Sequence, residues 1–80
     1  MTEKDLKDLK FKKEPTDDSY YYVLDIGTFC LITRQCADEV KKKDGWTVEI
    51  FDNSDIKFKK KEPLENLIAI IKAHKTNLKN

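Results

Sequence analysis

Glycine is almost absent, with Gly27 and Gly45 the only two in eighty residues, and each sits in turn chemistry (Gly27-Thr28, Asp44-Gly45). None is left to build a Gly-rich phosphate cradle, so nucleotide-dependent catalysis has no motif to rest on. A single histidine, His74, excludes paired-His zinc motifs and leaves any His-based triad to one residue near a helix end. The two cysteines, Cys30 and Cys36, have no partner at metal-ligand spacing. One falls in an expected strand and the other beyond its end, a separation too long for a bridge, so both are expected as free thiols in a reducing, cytoplasmic compartment. No stretch has the apolar core and cleavage site of a secretion signal. The longest apolar run, residues 67–71, is five residues against the about 20 that span a bilayer. No excess of one charge exists either: sixteen Lys and Arg against fifteen Asp and Glu leave +1. That balance gives no general field for nucleic acid or a membrane, so any anion site has to be a local patch.

What is present is strand chemistry and one strong helix. Residues 45–52 alternate most regularly, with Trp46, Val48 and Ile50 on one side and Thr47, Glu49 and Phe51 on the other, and are expected to form the central strand. Residues 19–26, with three tyrosines and β-branched types, and residues 29–34 read as a hairpin about Gly27-Thr28 that pairs Ile26 with Phe29, Leu24 with Leu31 and Tyr22 with Thr33. Residues 52–55 are turn chemistry, and Ile56-Lys57-Phe58-Lys59 is a short edge strand with its lysines outward. Pro63 opens a helix whose apolar stripe is Leu64, Leu67, Ile68 and Ile71, widened by Ile70 toward His74. At the other end, Thr2 and Asp5 form a capping pair for a short helix carrying Leu6 and Leu9.

The expected architecture is one small α+β domain over residues 1–80: an antiparallel meander of three to four strands, a C-terminal helix packed on one face and a short N-terminal helix. Residues 1–18 are helix and loop, 19–59 the sheet, 63–75 the helix and 76–80 a frayed tail. A chain this short buries only roughly 60% of its unfolded surface, which leaves little room for a deep catalytic cavity.

Candidate sites follow from the second face of the sheet. Tyr21, Val23, Ile32 and Phe51, rimmed by Asp25, Arg34, Thr47 and Glu49, form an apolar patch that is either open or covered by the N-terminal segment. Tyr21, Val23, Ile32, Arg34, Glu49 and Phe51 are the expected partner-binding residues for another protein. Dimerisation of the chain is the alternative use of that patch. A nucleic-acid site would instead use Lys41, Lys42, Lys43, Lys57, Lys59, Lys60 and Lys61 beside sheet aromatics. Asp52, Asn53 and Asp55 lack the glycine and distal glutamate of a calcium loop, and the pairs Asp17-Asp18 and Asp38-Glu39 fall in expected loops as solvated charge. No metal, cofactor or catalytic residue is therefore expected. The segments Leu9-Lys-Phe-Lys-Lys-Glu-Pro and Ile56-Lys-Phe-Lys-Lys-Lys-Glu-Pro echo each other over too short a length to mark a repeat.

The capped N-terminal helix, Tyr20-Tyr21-Tyr22-Val23-Leu24-Asp25, residues 46–52 and the terminal helix over 64–71 resemble in style the small accessory proteins carried by phages and prophages. That resemblance implies a non-enzymatic binder, one form of which is an anti-CRISPR-like inhibitor that occludes a host enzyme.

Overall fold

The computed structural model describes residues 1–27 and 29–79, with side chains in the last helix described as far as Ala73. Thr28 and the side chain of His74 thus lie outside the described residues. In chain order come α1 (Glu3–Asp8), β1 (Lys12–Pro15), β2 (Tyr20–Ile26), β3 (Phe29–Thr33), a 3₁₀ turn (Ala37–Glu39), β4 (Val48–Ile50), β5 (Asn53–Phe58) and α2 (Lys61–Lys79). The sheet is an antiparallel meander in the order β1-β2-β3-β4-β5. No helix of the described residues is long and apolar enough to cross a membrane.

Six residues make a helix only with help, because nucleation is costly. The help is local. Thr2 Oγ1 accepts from the Asp5 amide at 3.2 Å while Asp5 Oδ2 accepts from the Thr2 amide at 3.0 Å, a reciprocal capping box. At the other end Lys10 turns left-handed (φ 72), Phe11 N donates to Leu6 O and Lys10 N to Lys7 O. This is a Schellman stop with lysine where glycine is usual, and it turns Phe11 into the core beside Leu6.

One cluster of buried side chains holds the domain: Leu6, Leu9 and Phe11, Tyr22, Ile26, Leu31, Trp46 and Val48, and Leu64 and Ile68. Both helices contribute to it, so both lie on the same side of the sheet. Leu6, Leu31, Val48 and Leu64 are wholly buried. The hairpin register pairs Ile26 with Phe29 and Leu24 with Leu31, as the alternation requires. Tyr22 N donates to Thr33 Oγ1 at 3.0 Å. Gly27 takes φ 63 at the turn, a left-handed value that glycine adopts without steric cost.

Several expectations need correction. The sheet has five strands, not three or four, because residues 12–15 form β1 where a loop was expected. Three of its residues are polar and exposed or half-exposed and the fourth is Pro15, so no apolar alternation announces it. Pro15 is tolerated because the strand is an edge. Nor are residues 45–52 the centre of the sheet; that place belongs to β3, and β4 keeps only three residues. The Trp46 amide donates to Met1 O at 2.8 Å instead of to a strand, and Gly45 (φ 70) packs against the same Met1 backbone. Thr47 is buried rather than on an open rim. A register shift at Glu49/Ile50 tightens the β4–β5 turn to Phe51-Asp52, so the expected turn residues 53–55 are in β5. The terminal helix covers Lys61–Lys79, longer at both ends than 63–75, and Ile70 is 66% exposed instead of widening the core stripe.

Candidate interaction surface

Because side chains alternate across a strand, the residues between the core positions define the second face. On β2 these are Tyr21, Val23 and Asp25, and on β3 they are Cys30, Ile32 and, just past its end, Arg34. The ladder aligns them into ranks. Lys12, Val23, Ile32, Glu49 and Lys57 form the middle rank, strand by strand. Glu14 and Tyr21 are paired at one end of the face, continued by Arg34, whose amide donates to Thr47 O. Asp25 and Cys30 are paired at the other, where Phe51 N donates to Cys30 O at 2.9 Å.

Among the described residues, the buried side chains of both helices join the core cluster on the other side of the sheet, and α1 is anchored there. Tyr20 Oη donates to Glu3 Oε1 at 2.6 Å and Tyr22 Oη to Glu3 Oε2 at 2.9 Å. The hydrogen bond from Tyr20 is the main cause holding the Glu3 carboxyl below its ordinary value, aided by Tyr22 and by Lys13 and Lys7, against some desolvation. Burial first, and then Glu3, pushes the Tyr22 phenol up to about 12. Both rings pack on Trp46, Tyr20 stacked and Tyr22 edge-on at 5.2 Å between centroids. The tyrosines at 20 and 22 are thus structural, and Tyr21 alone is turned outward.

Of the expected partner-binding residues, Tyr21, Val23, Ile32 and Glu49 are half-buried, Arg34 is exposed and Phe51 is 63% exposed. Val23 and Ile32 meet as a direct cross-strand pair at the centre. Tyr21 and Phe51 do not meet: the four residue steps from Cys30 to Arg34 separate their ranks, roughly 13 Å along the strand. Lys12 joins the face without having been expected there, while Cys30 and Lys57 stand on it as expected. The edge strand that carries Lys12 leaves no apolar period to find, whereas Cys30 is readable from its alternation with Leu31.

The lysines do not form one patch. Lys57 pairs with Glu49 at 4.0 Å and Lys61 with Asp8 at 3.4 Å. Lys59 lines, with Arg34, Gln35, Asp44, Thr47 and Lys57, a cavity of about 420 Å³ at the Tyr21 end of the open face. Gln35 is fixed in its wall, its Oε1 accepting from Thr47 N at 3.0 Å and its Nε2 donating to Gly45 O at 3.4 Å. Lys41 to Lys43 sit exposed in the connection before Gly45, and Lys60 is exposed between β5 and α2.

No family model, curated protein or solved structure matches this chain. Its chemistry has to be judged from its own groups.

Cys36, Asp38 and Glu39 bring their ligand atoms within 4.8 Å of one another, and are the one group of this kind among the described residues. Glu39 Oε1 already accepts from the Cys36 amide at 2.9 Å as a cap of the 3₁₀ turn. Burial, and after it Glu39 and Asp38, push the Cys36 thiol up, which keeps it protonated and a poor ligand at neutral pH. Burial likewise raises the Cys30 thiol, with Asp25 and Asp52 adding to it. Both thiols are free, and neither is activated as a nucleophile.

Proposed function

We propose that this chain is a small non-enzymatic protein-interaction module whose contact surface is the open face of its sheet. The observation that carries this is the Val23–Ile32 pair, an apolar centre bordered on every side by charge, on the sheet face opposite the one where the described helix residues pack. A desolvated centre with a polar rim is the usual anatomy of a specific protein contact, and aromatic and Arg side chains such as Tyr21, Phe51 and Arg34 are its common anchors. Both thiols are held in the less reactive protonated form, which favours binding over catalysis. An inhibitor of phage or prophage type, which works by covering a host enzyme, is one form that such a module takes.

A nucleic-acid site around Arg34, Lys57 and Lys59 is the second reading, favoured by their shared cavity. It is weaker because Asp25, Glu49 and Asp52 lie on or beside the same face and repel a phosphate backbone laid across it. Capture of partners from native lysate by the tagged protein, with and without nuclease, separates the two. The interaction module predicts a stoichiometric protein that survives nuclease and moderate salt and is lost from the Tyr21→Ala/Phe51→Ala variant. Retention by that variant, folded, refutes the site. Material that vanishes with nuclease, and with Lys59→Glu, makes the basic cavity the site instead.

A further inference from the structure

We propose that the cavity lined by Arg34, Gln35, Asp44, Thr47, Lys57 and Lys59 receives one oxyanion, a carboxylate or a phosphate group, presented by a partner protein. This rests on the interaction-module proposal and deepens it by naming the charged group that the open face selects.

The residue that carries it is Thr47. It is 7% exposed, and it lines this cavity. Its amide donates to Gln35 Oε1 and its carbonyl accepts from the Arg34 amide, but its hydroxyl has no hydrogen-bond partner among the described residues. No fully buried side-chain oxygen or nitrogen of those residues lacks a partner. The Thr47 hydroxyl is therefore not sealed in. Side chains alternate along the strand, so it points to the open face, and there it meets the cavity. A nearly buried hydroxyl is unfavourable when left unpaired, and its O–H is a donor that an anion can use.

The walls supply the matching charge. Arg34 and Lys59 make no ion pair among the described residues, and Lys57 stands 4.0 Å from Glu49. Asp44 is the one acid in the lining. Glu14, at the same end of the face, stands on the opposite edge strand and pairs with Lys12 at 3.8 Å. Gln35 Nε2 keeps a second hydrogen after donating to Gly45 O, so the wall holds a neutral donor as well. The planar fork of a guanidinium such as Arg34 suits the oxygens of a carboxylate or a phosphate alike.

One anion balances this lining, and a run of phosphates does not. Asp44 in the wall, with Glu49 and Asp25 further along the face, repels the neighbouring phosphates of a nucleic-acid backbone. A cavity of about 420 Å³ at one end of the face takes a single group and offers no track for a strand.

NMR titration of the isotope-labelled full chain with sodium acetate, with inorganic phosphate and with a single-stranded oligonucleotide, all at constant ionic strength, tests this. The small anions are expected to bind saturably in the millimolar range, moving the Gln35 side-chain amide, the Thr47 amide and the Arg34 side chain. Thr47→Val, which keeps the branched shape without the hydroxyl, and Arg34→Gln are each expected to weaken binding about fivefold or more, while Thr47→Ser retains it. Circular dichroism checks the fold of each. Phosphate bound at least tenfold more tightly than acetate assigns a phosphorylated partner, and acetate bound comparably or better assigns an acidic side chain. Shifts that never saturate, shifts spread over all the lysines, or binding unchanged in Thr47→Val and Arg34→Gln overturn the inference. So does an oligonucleotide bound at these groups more tightly than phosphate, which selects the nucleic-acid reading. If neither small anion binds while Tyr21→Ala/Phe51→Ala still releases a nuclease-resistant partner, the oxyanion site fails and the interaction module stands. If the anions bind and that folded variant keeps its partner, the contact surface assigned to Tyr21 and Phe51 fails and the oxyanion site stands.

Discussion

The two faces of one sheet are made from the same strands and differ by a single residue step. Leu31 is wholly buried against the two helices, and Ile32 beside it on β3 is half-exposed on the other side. Tyr22 gives its hydroxyl to Glu3 and its ring to Trp46, and Tyr21 next to it has neither contact. On the covered face, residue identity is dictated by packing and by satisfied hydrogen bonds. The open face is under no such constraint, and its ordered ranks of charge around Val23 and Ile32 are free to serve recognition.

The comparison breaks most sharply at the β3 step. Leu31→Ala empties a fully enclosed site and is expected to cost about 3 kcal/mol, a large part of what a domain of this size has. Ile32→Ala, the same type of truncation one residue on, is expected to cost about 1 kcal/mol because water already reaches that face. Paired urea titrations measure both, and equal losses would mean that the second face is also a core.

Next comes Gly45→Ala. Its φ of 70 and a Cβ that would lie 2.6 Å from the Met1 carbonyl oxygen both oppose it, so a loss of about 2 kcal/mol is expected in the same titration. No loss would mean that the Met1 backbone moves freely off the Gly45-Trp46 corner.

Glu3 sharpens the contrast between Tyr20 and Tyr22, which it holds, and Tyr21, which it does not. Its carboxyl is held below the 4.5 of a free glutamate, so its contribution is fully present above that pH and is lost as pH falls through the lower folded value. Glu3→Gln, which keeps one acceptor of two, is expected to cost about 1 to 2 kcal/mol at pH 7 and to flatten the acid limb of the stability curve. At the alkaline end the sign reverses. Tyr22 titrates at about 12 when folded against 10.0 when free, so its stabilisation is complete below 10.0 and is lost as pH rises towards 12. Tyr22→Phe should remove that alkaline limb.

The smallest effect is expected from Phe51→Ala, at 63% exposure: within about 0.5 kcal/mol of wild type in thermal melts, while binding through the open face falls. A destabilisation of 2 kcal/mol would show that Phe51 packs on the fold.

Most of the covered face was legible. The capping pair at Thr2 and Asp5, the hairpin register about Gly27 and the stripe at Leu64 and Ile68 all rest on contacts within a few residues or on a clear period. What was not legible depended on distant partners. The tetrapeptide Lys-Phe-Lys-Lys shows this, since at residues 10–13 it leaves a helix and enters β1, and at residues 57–60 it ends β5 and precedes α2. Local propensity is the same in both. Pairing with β2 in one case, and with β4 in the other, makes the difference. For the candidate site, the alternation identified Tyr21, Val23 and Ile32, but the hidden edge strand concealed Lys12, and the spread of seven lysines over separate places could not be seen without the ladder.

By itself, then, the sequence determined the class of the fold, the inward set of the hairpin and of the last helix, and the capped first helix, because hydrophobic period and cap chemistry act over a few residues. Tertiary structure alone decided that β3 is central, that residues 12–15 are a strand, and that both helices share one side. Those outcomes depend on which backbone groups find partners far along the chain, where loop closure and packing outweigh local preference.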